Sequence, residues 1–455
     1  MKSSLKAIAA ATVLFAGAGL LTGCSGSANG GAAANGKTTI VVSIDAGLKK
    51  PAVDAFNAQV TQFEKDNPNI TVTSREYTWT GTTFAAELAG GTLPDVFTIP
   101  FTDGRSLIEQ KQVADISALV KALPYASKFN PAVVKNGEDS SGNIQAIPIA
   151  AYGQALHYNR TLFTKAGLDP DKPPTTWEEI RQDAKAISDK TGVAGYATMT
   201  QANTGGWILT SAAYALGGRA ETKKGDKFTA TVDTNPFKKA LTNLKSMRWT
   251  DNSMGGNFLY DWNGINQDFA AGKIGMYISG GGNYGSLVAQ NAINPADYGE
   301  TVVPLEGKDA GALGGGTLAV VRAKADDAAK KASVKWIDYF YMSKLITKSG
   351  AVRDAKTQAD SDQPVGAPQV PVFDKKTYQL TQDWIKQYVN VPVAQMKPYI
   401  SHAFDQAIIP EPASQTQALY GALDPVVQAV LTDKNANVDQ LLSQANTSIQ
   451  QILSK

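Results

Sequence analysis

The chain has 455 residues and one cysteine, Cys24. A single thiol excludes an internal disulfide and any metal site built from several thiolates. Histidine is almost as scarce. His157 lies in the strand-like "ALHYN" and reads as buried, while His402 follows "KPYIS"; neither belongs to a His-Glu-x-x-His pattern. An excess of one charge is also missing. The 43 Lys and Arg are balanced by 41 Asp and Glu, so the basic patch that nucleic acid requires is not indicated. After the first two dozen residues no apolar run approaches the roughly twenty residues that cross a bilayer. "GGGNYG" is a loose glycine loop without the strand-G-x-G-x-x-G-helix context of dinucleotide binding, and "AGKIG" lacks the Ser or Thr and the upstream glycine of a phosphate-binding loop. No cofactor and no metal are expected.

What is present starts at the front. Met1 to Lys6 carries two lysines, and Ala7 to Leu21 is apolar or small throughout. This is the charged-then-greasy order of a secretory signal. Leu21-Thr22-Gly23-Cys24 follows it and resembles the lipobox of bacterial lipoproteins. The resemblance implies cleavage after Gly23 and lipid on Cys24; the alternative is an ordinary signal cut nearby. Ser25 to Gly36 contains only Ser, Gly, Ala and Asn. Such a stretch cannot build a core and acts as a tether reaching about 20 Å.

The body then shows strand and helix patterns in alternation. "TTIVVSI" from Thr38 is a buried-strand run, and Val53, Phe56, Val60 and Phe63 form one helical face. "ITVTSREYTW", "TTFAAELAGGT" and "DVFTI" continue as strand, helix, strand, which predicts βαβ units on a mostly parallel sheet. "IQAIPIAAYGQALHYN" from Ile144 is a long extended segment. Thr176 and Glu179 make a capping box for a helix closed by Gly192. "IGMYIS" and "GTLAVV" are further strands, Ala332, Trp336 and Phe340 share a helix face, and the tail from Thr377 is helical.

Five stretches resemble the bacterial extracellular solute-binding proteins that serve ABC importers, of the sugar-binding type typified by maltose-binding protein. They are "FEKDNPNITVT" from Phe63, "LAGGTLPDVFTI" from Leu88, "IPIAAYGQALHYNRTLFTKAGLDPDKPPTTWEEI" from Ile147, "FAAGKIGMYISGGGNYG" from Phe269, and "GALGGGTLAVV". The resemblance implies an α/β fold of two lobes, the type II periplasmic-binding-protein arrangement, with ligand in the cleft between them. It further implies residues 38–150 plus 305–352 in one lobe and 151–304 plus 353–455 in the other, behind a signal over 1–23 and a linker over 24–37. The implied partners are a carbohydrate and the permease subunits of an ABC transporter. The place is the outer face of the cytoplasmic membrane, held by the lipid anchor, with the protein a monomer. Many members carry a tryptophan where this chain has Gly280 to Tyr284, so the platform for a sugar ring there is Tyr284 or is missing.

A sugar presents an apolar face that packs on a flat ring and a hydroxyl rim that needs carboxylates and amides. Trp79, Trp207 and Trp262 stand among Thr, Gly, Asn and Asp, in "YTWTGTT", "TGGWILT" and "YDWNGIN", and read as loop aromatics. Each either touches ligand or packs on a satellite core. Tyr260 and Asp261 belong with Trp262; Asp261 is either a hydroxyl acceptor or a helix cap, a role that Asn263 fits better. Asp45 and Asp103 lie just past strands, at the carboxyl-end crevice of an α/β sheet, or are turn residues. Tyr152 and Gln154 sit at the first crossing between lobes. Gly281, Gly282 and Gly315 either admit close backbone approach or allow positive φ, and Asn283 and Tyr284 follow them. Arg353 lies near a third crossing. The rival readings are a secreted glycoside hydrolase, which needs two carboxyls flanking the scissile bond, and the same fold holding a polyol, a glycerol phosphate or a peptide.

Overall fold

The computed structural model describes residues 36–454 apart from positions 49, 80, 226 and 404. The signal, Cys24 and nearly all of the linker therefore lie outside the described residues. Strands β1 (Thr38–Ile44), β2 (Ile70–Glu76) and β3 (Val96–Pro100) run parallel, with helices Lys50–Asp66 and Gly81–Gly90 as the connections. This is the βαβ arrangement that the apolar spacing of the first sixty body residues dictates.

The rest of the sheet is mixed, where a mostly parallel one was expected. Strand β4 (Ile147–Asn159) is thirteen residues long. Up to Gly153 it pairs antiparallel with β10 (Ala312–Val321), and from Gln154 onward with β8 (Ile274–Gly280) and β9 (Tyr298–Val302). Strand β5 (Ala194–Tyr196) flanks β8, and β11 (Ile408–Ile409) pairs with the start of β10. A short hairpin, β6 (Glu221–Lys224) and β7 (Lys227–Ala230), stands apart. The order is β2-β1-β3-β10-β4-β8-β5. The antiparallel pairs have a simple cause. One strand leaves a lobe and another returns to it, and neighbours running in opposite directions pair antiparallel. Pro148 has no N–H for the ladder, and the register of β10 slips beside it, between Thr317 and Leu318.

Two cores flank the first part of this sheet and one larger core fills the second. In the first, the predicted helix stripe is buried: Phe56 and Phe63 meet Trp336 edge-on at 5.8 and 5.2 Å, and Phe340 stacks on it at 5.0 Å. Phe373 returns to this side and stacks on Phe129 at 4.8 Å. In the second, the capping box forms as read, with Glu179 N–H donating to Thr176 Oγ1 at 3.1 Å and Gly192 closing the helix at φ 74°. Trp177 is buried there and donates to Pro304 O at 3.0 Å. The helices Thr416–Thr432 and Val438–Leu453 complete that core. Among the described residues no helix is long and apolar enough to cross a membrane.

Candidate functional site

The seam between the lobes is built around two carboxyls from opposite sides. Asp103 sits in the first turn of helix Phe101–Glu109, directly after β3. That helix packs against Thr416–Thr432 of the other lobe. Just ahead of the second helix, Glu411 is held between Pro410 and Pro412 and is only 5% exposed. Thr102 Oγ1 donates to Glu411 Oε1 at 3.4 Å, the Tyr420 hydroxyl donates to Oε2, and Trp207 adds a third hydrogen bond. Gln417 bonds to Asp103, while its own oxygen accepts from Asn203 at 3.0 Å. Tyr152, Tyr214 and Tyr420 lie within the field of the Glu411 carboxylate. Trp79 and Asp103 line a cavity of about 360 Å³ with Phe84, Leu88, Leu107 and Gln112.

Burial raises both acids. Glu411 is pushed up to about 7 by desolvation, against the pull of its hydrogen bonds, with Asp103 adding repulsion. Asp103 is likewise raised to about 7 by desolvation, opposed by Gln417. An acid whose folded pKa is raised stabilises the fold below its unfolded value, and that contribution is lost as pH climbs through the folded value. The seam is therefore most stable below about pH 4.5 and weakens up to about pH 7. Glu411→Gln removes the ionisation. It is expected to raise the melting midpoint at about pH 8 by about 2–4 °C and to leave the acid-side midpoint unchanged, which a thermal-unfolding series across pH reads directly.

Of the other expected site residues, Trp207 reaches the seam and the rest are scattered. Trp207 is inside helix Thr204–Ala215, not in a loop, because a glycine-bearing segment buried on the second core still completes its backbone bonds as helix. Trp262 is the first residue of helix Trp262–Ala270, and Asp261 caps it, accepting from Gly264 N–H at 2.8 Å. The cap is thus Asp261 and not Asn263. The Tyr260 hydroxyl, 6% exposed, donates to Asp268 at 2.9 Å. Tyr284 is no platform: it lies in the second core at 3% exposure, 4.9 Å from Tyr298. Asn283 turns inward as well, donating to Asn266 Oδ1 and the Tyr277 hydroxyl at 2.9 and 2.8 Å.

The glycines serve close packing. A Cβ on Gly281 would lie 2.1 Å from the Tyr399 hydroxyl, and one on Gly315 would lie 2.4 Å from the Tyr152 ring. Gly282 combines φ 80° with an N–H donated to Glu300 at 2.8 Å. Arg353 is spent on the helices just before it, over the Tyr339 ring at 5.0 Å, although the expected lobe boundary falls between the two residues. Asp45 is exposed and lines a different cavity, with Tyr341 and Lys344. Gln154 is fully buried at the crossing. The structure therefore brings Asp103, Tyr152 and Trp207 together with Thr102, Glu411, Gln417 and Tyr420, which sequence reasoning missed, and sets Trp79 beside Asp103 on a cavity lined by residues 79–112 alone. The only sequence signal for Glu411 is its place between two prolines, which fix the chain on both sides of it.

Among the described residues no group of three or more His, Cys, Asp or Glu is arranged to hold a metal. Rings, hydroxyls and carboxyls thus converge where the two α/β halves meet. The chain is similar in fold to the cyclic alpha-maltosyl-1,6-maltose binding protein from Arthrobacter globiformis, at TM-score 0.70 and 22% identity over 92% of this chain and 99% of that one. It is similar also to UgpB from Mycobacterium tuberculosis in complex with glycerophosphocholine, at TM-score 0.71 and 16% identity over 92% and 99%. The fold is thus the two-lobed type II fold. Residues 44–344 match the bacterial extracellular solute-binding protein family, and the chain belongs to it. A curated relative is the sn-glycerol-3-phosphate-binding periplasmic protein UgpB of Yersinia pestis, 25% identical over 212 residues, 46% of this chain and 47% of that one. UgpB of Salmonella typhimurium is 23% identical over 298 residues, 63% and 66%. The chain spans about half the length of the Yersinia relatives it matches.

Proposed function

We propose that this protein captures a carbohydrate in the seam between its lobes and delivers it, uncleaved, to an ABC permease. The observation that carries the reading is the approach of Asp103 to Glu411, with Trp207 bonded to Glu411, Tyr152 in its field and Trp79 beside Asp103 on the cavity wall. Carboxyls accept from sugar hydroxyls, and rings carry the apolar face of a pyranose. Two acids also disfavour a phosphate, which carries the same charge. A glycerol phosphate of the kind named for the UgpB relatives therefore fits this seam less well than a neutral glycan.

Titration calorimetry with a panel of mono- and oligosaccharides beside glycerol 3-phosphate tests the choice. A sugar is expected to bind, and tighter binding of glycerol 3-phosphate than of any sugar would overturn the reading. Chromatography of the same glycans after overnight incubation is expected to show them intact; cleavage products would favour a hydrolase. Around this site, residues 38–150 and 305–352 form one lobe and 151–304 the other. The tail is shared, with Phe373 on the first side and Thr416 onward on the second. The protein acts as a monomer outside the cell, moored through lipid on Cys24. Cys24→Ser is expected to move it from the membrane fraction to the medium, read by fractionation and immunoblot.

A further inference from the structure

Asp103 lies near enough to Glu411 to repel it across the seam, and the cations of this region are engaged elsewhere: Arg219 lies over the Tyr214 ring at 5.2 Å and bonds to Gly218 O and Asp309 O. Arg105 and Lys223 act on Glu221, and Lys223 also pairs with Glu109 at 3.8 Å. Neither Asp103 nor Glu411 has an ion-pair partner among the described residues. Two fully buried polar side chains share this setting. Thr210 lies three residues past Trp207 and four before Tyr214, on the helix face those two present toward Glu411, and its hydroxyl has no partner. Gln154 lies two residues past Tyr152 on the same face of β4, and neither atom of its amide has a partner. Asp103 Oδ2 and Trp79 Nε1, on the cavity wall, are also unpartnered. Buried polar groups are almost always paired, so these unpartnered groups, two on the Trp207 and Tyr152 faces and two beside Asp103, are available to a solute's polar groups.

We propose that this solute is polyhydroxylated and bears an ammonium group, a protonated amine or a quaternary nitrogen, seated between the Asp103 and Glu411 carboxyls and the Trp79 and Trp207 rings. The inference rests on the capture of a hydroxyl-rich solute proposed above. A neutral sugar would satisfy the hydroxyl of Thr210 and the amide of Gln154 but leave two apposed carboxylates without a counter-charge. A cation supplies it, gains charge-assisted contacts to both, and is drawn to the ring faces. The titratable groups facing Glu411 are Asp103, Tyr152, Tyr214 and Tyr420, and only the two acids change charge between about pH 5 and 8. Binding of the cation therefore releases protons and tightens as pH rises.

Titration calorimetry of the full mature chain tests this with two matched pairs: a glucosamine disaccharide against the glucose disaccharide of the same linkage, and glycerophosphocholine against glycerol 3-phosphate. In at least one pair the cationic member is expected to bind about tenfold tighter at about pH 7, with that ratio shrinking at about pH 5.5. Preference in the first pair alone assigns amino sugars; preference in the second alone assigns choline head groups and overturns the capture of a carbohydrate. Asp103→Asn and Glu411→Gln, checked for folding by circular dichroism, are each expected to bring the ratio below about threefold. A neutral disaccharide bound as tightly as its amino counterpart, with no preference in the second pair, overturns the inference and leaves carbohydrate capture standing. A ratio intact in both variants overturns the assignment to these carboxyls. Failure of every probe to bind removes the capture reading as well.

Discussion

Trp207→Ala is expected to weaken binding of the cognate carbohydrate by about tenfold to a hundredfold, with no loss of folded structure by circular dichroism. The indole is half-buried at the edge of the second core and bonds to Glu411, so its removal costs both a ring surface and a donor to a buried carboxyl. Trp79→Ala acts from the other lobe, through the cavity that the ring shares with Asp103. A loss of comparable size is expected there. Calorimetric titration of each variant provides the measurement. Affinity within about threefold of the parent in both would remove the rings from the site.

The second large effect concerns stability. Asp95 is 2% exposed and ties three strands together. Its Oδ2 accepts from Val41 N–H of β1 at 2.8 Å, and its Oδ1 pairs with Arg322 at 2.7 Å, just beyond β10. Asp95→Ala leaves a nearly buried guanidinium and a strand N–H without partners, at a cost of about 3–5 kcal/mol. Urea unfolding is expected to show the midpoint falling sharply with the slope unchanged. Replacing Asp95 and Arg322 together is expected to cost less than Asp95→Ala alone, because no buried charge is then orphaned. An Asp95→Ala midpoint within experimental error of the parent would dismiss the tie.

Asp95 belongs to "LPDVFTI", a stretch legible as a strand but silent about its carboxyl. The same division runs through the rest of the molecule. The helix stripe of Phe56 and Phe63, the Thr176 capping box and the strand character of β4 were readable, because each depends on residues within a turn or two of one another. Trp207 and Tyr284 were misplaced, and the helix cap fell to Asp261 rather than to Asn263. Polar, glycine-bearing surroundings read as loop, yet tertiary packing made Trp207 helical and put Tyr284 in the core.

The sequence by itself determined the first βαβ unit, the Thr176-capped helix and, through five motifs in order, the family. Those properties follow from local spacing and residue type. Only the tertiary structure decided that Asp103 meets Glu411, 308 positions away by their numbering, and that Asp95 holds three strands. A contact between lobes depends on where two strands cross and how far a seam closes, and a buried carboxyl acquires its properties from the water it has lost. Neither quantity is written in the neighbours of a residue along the chain.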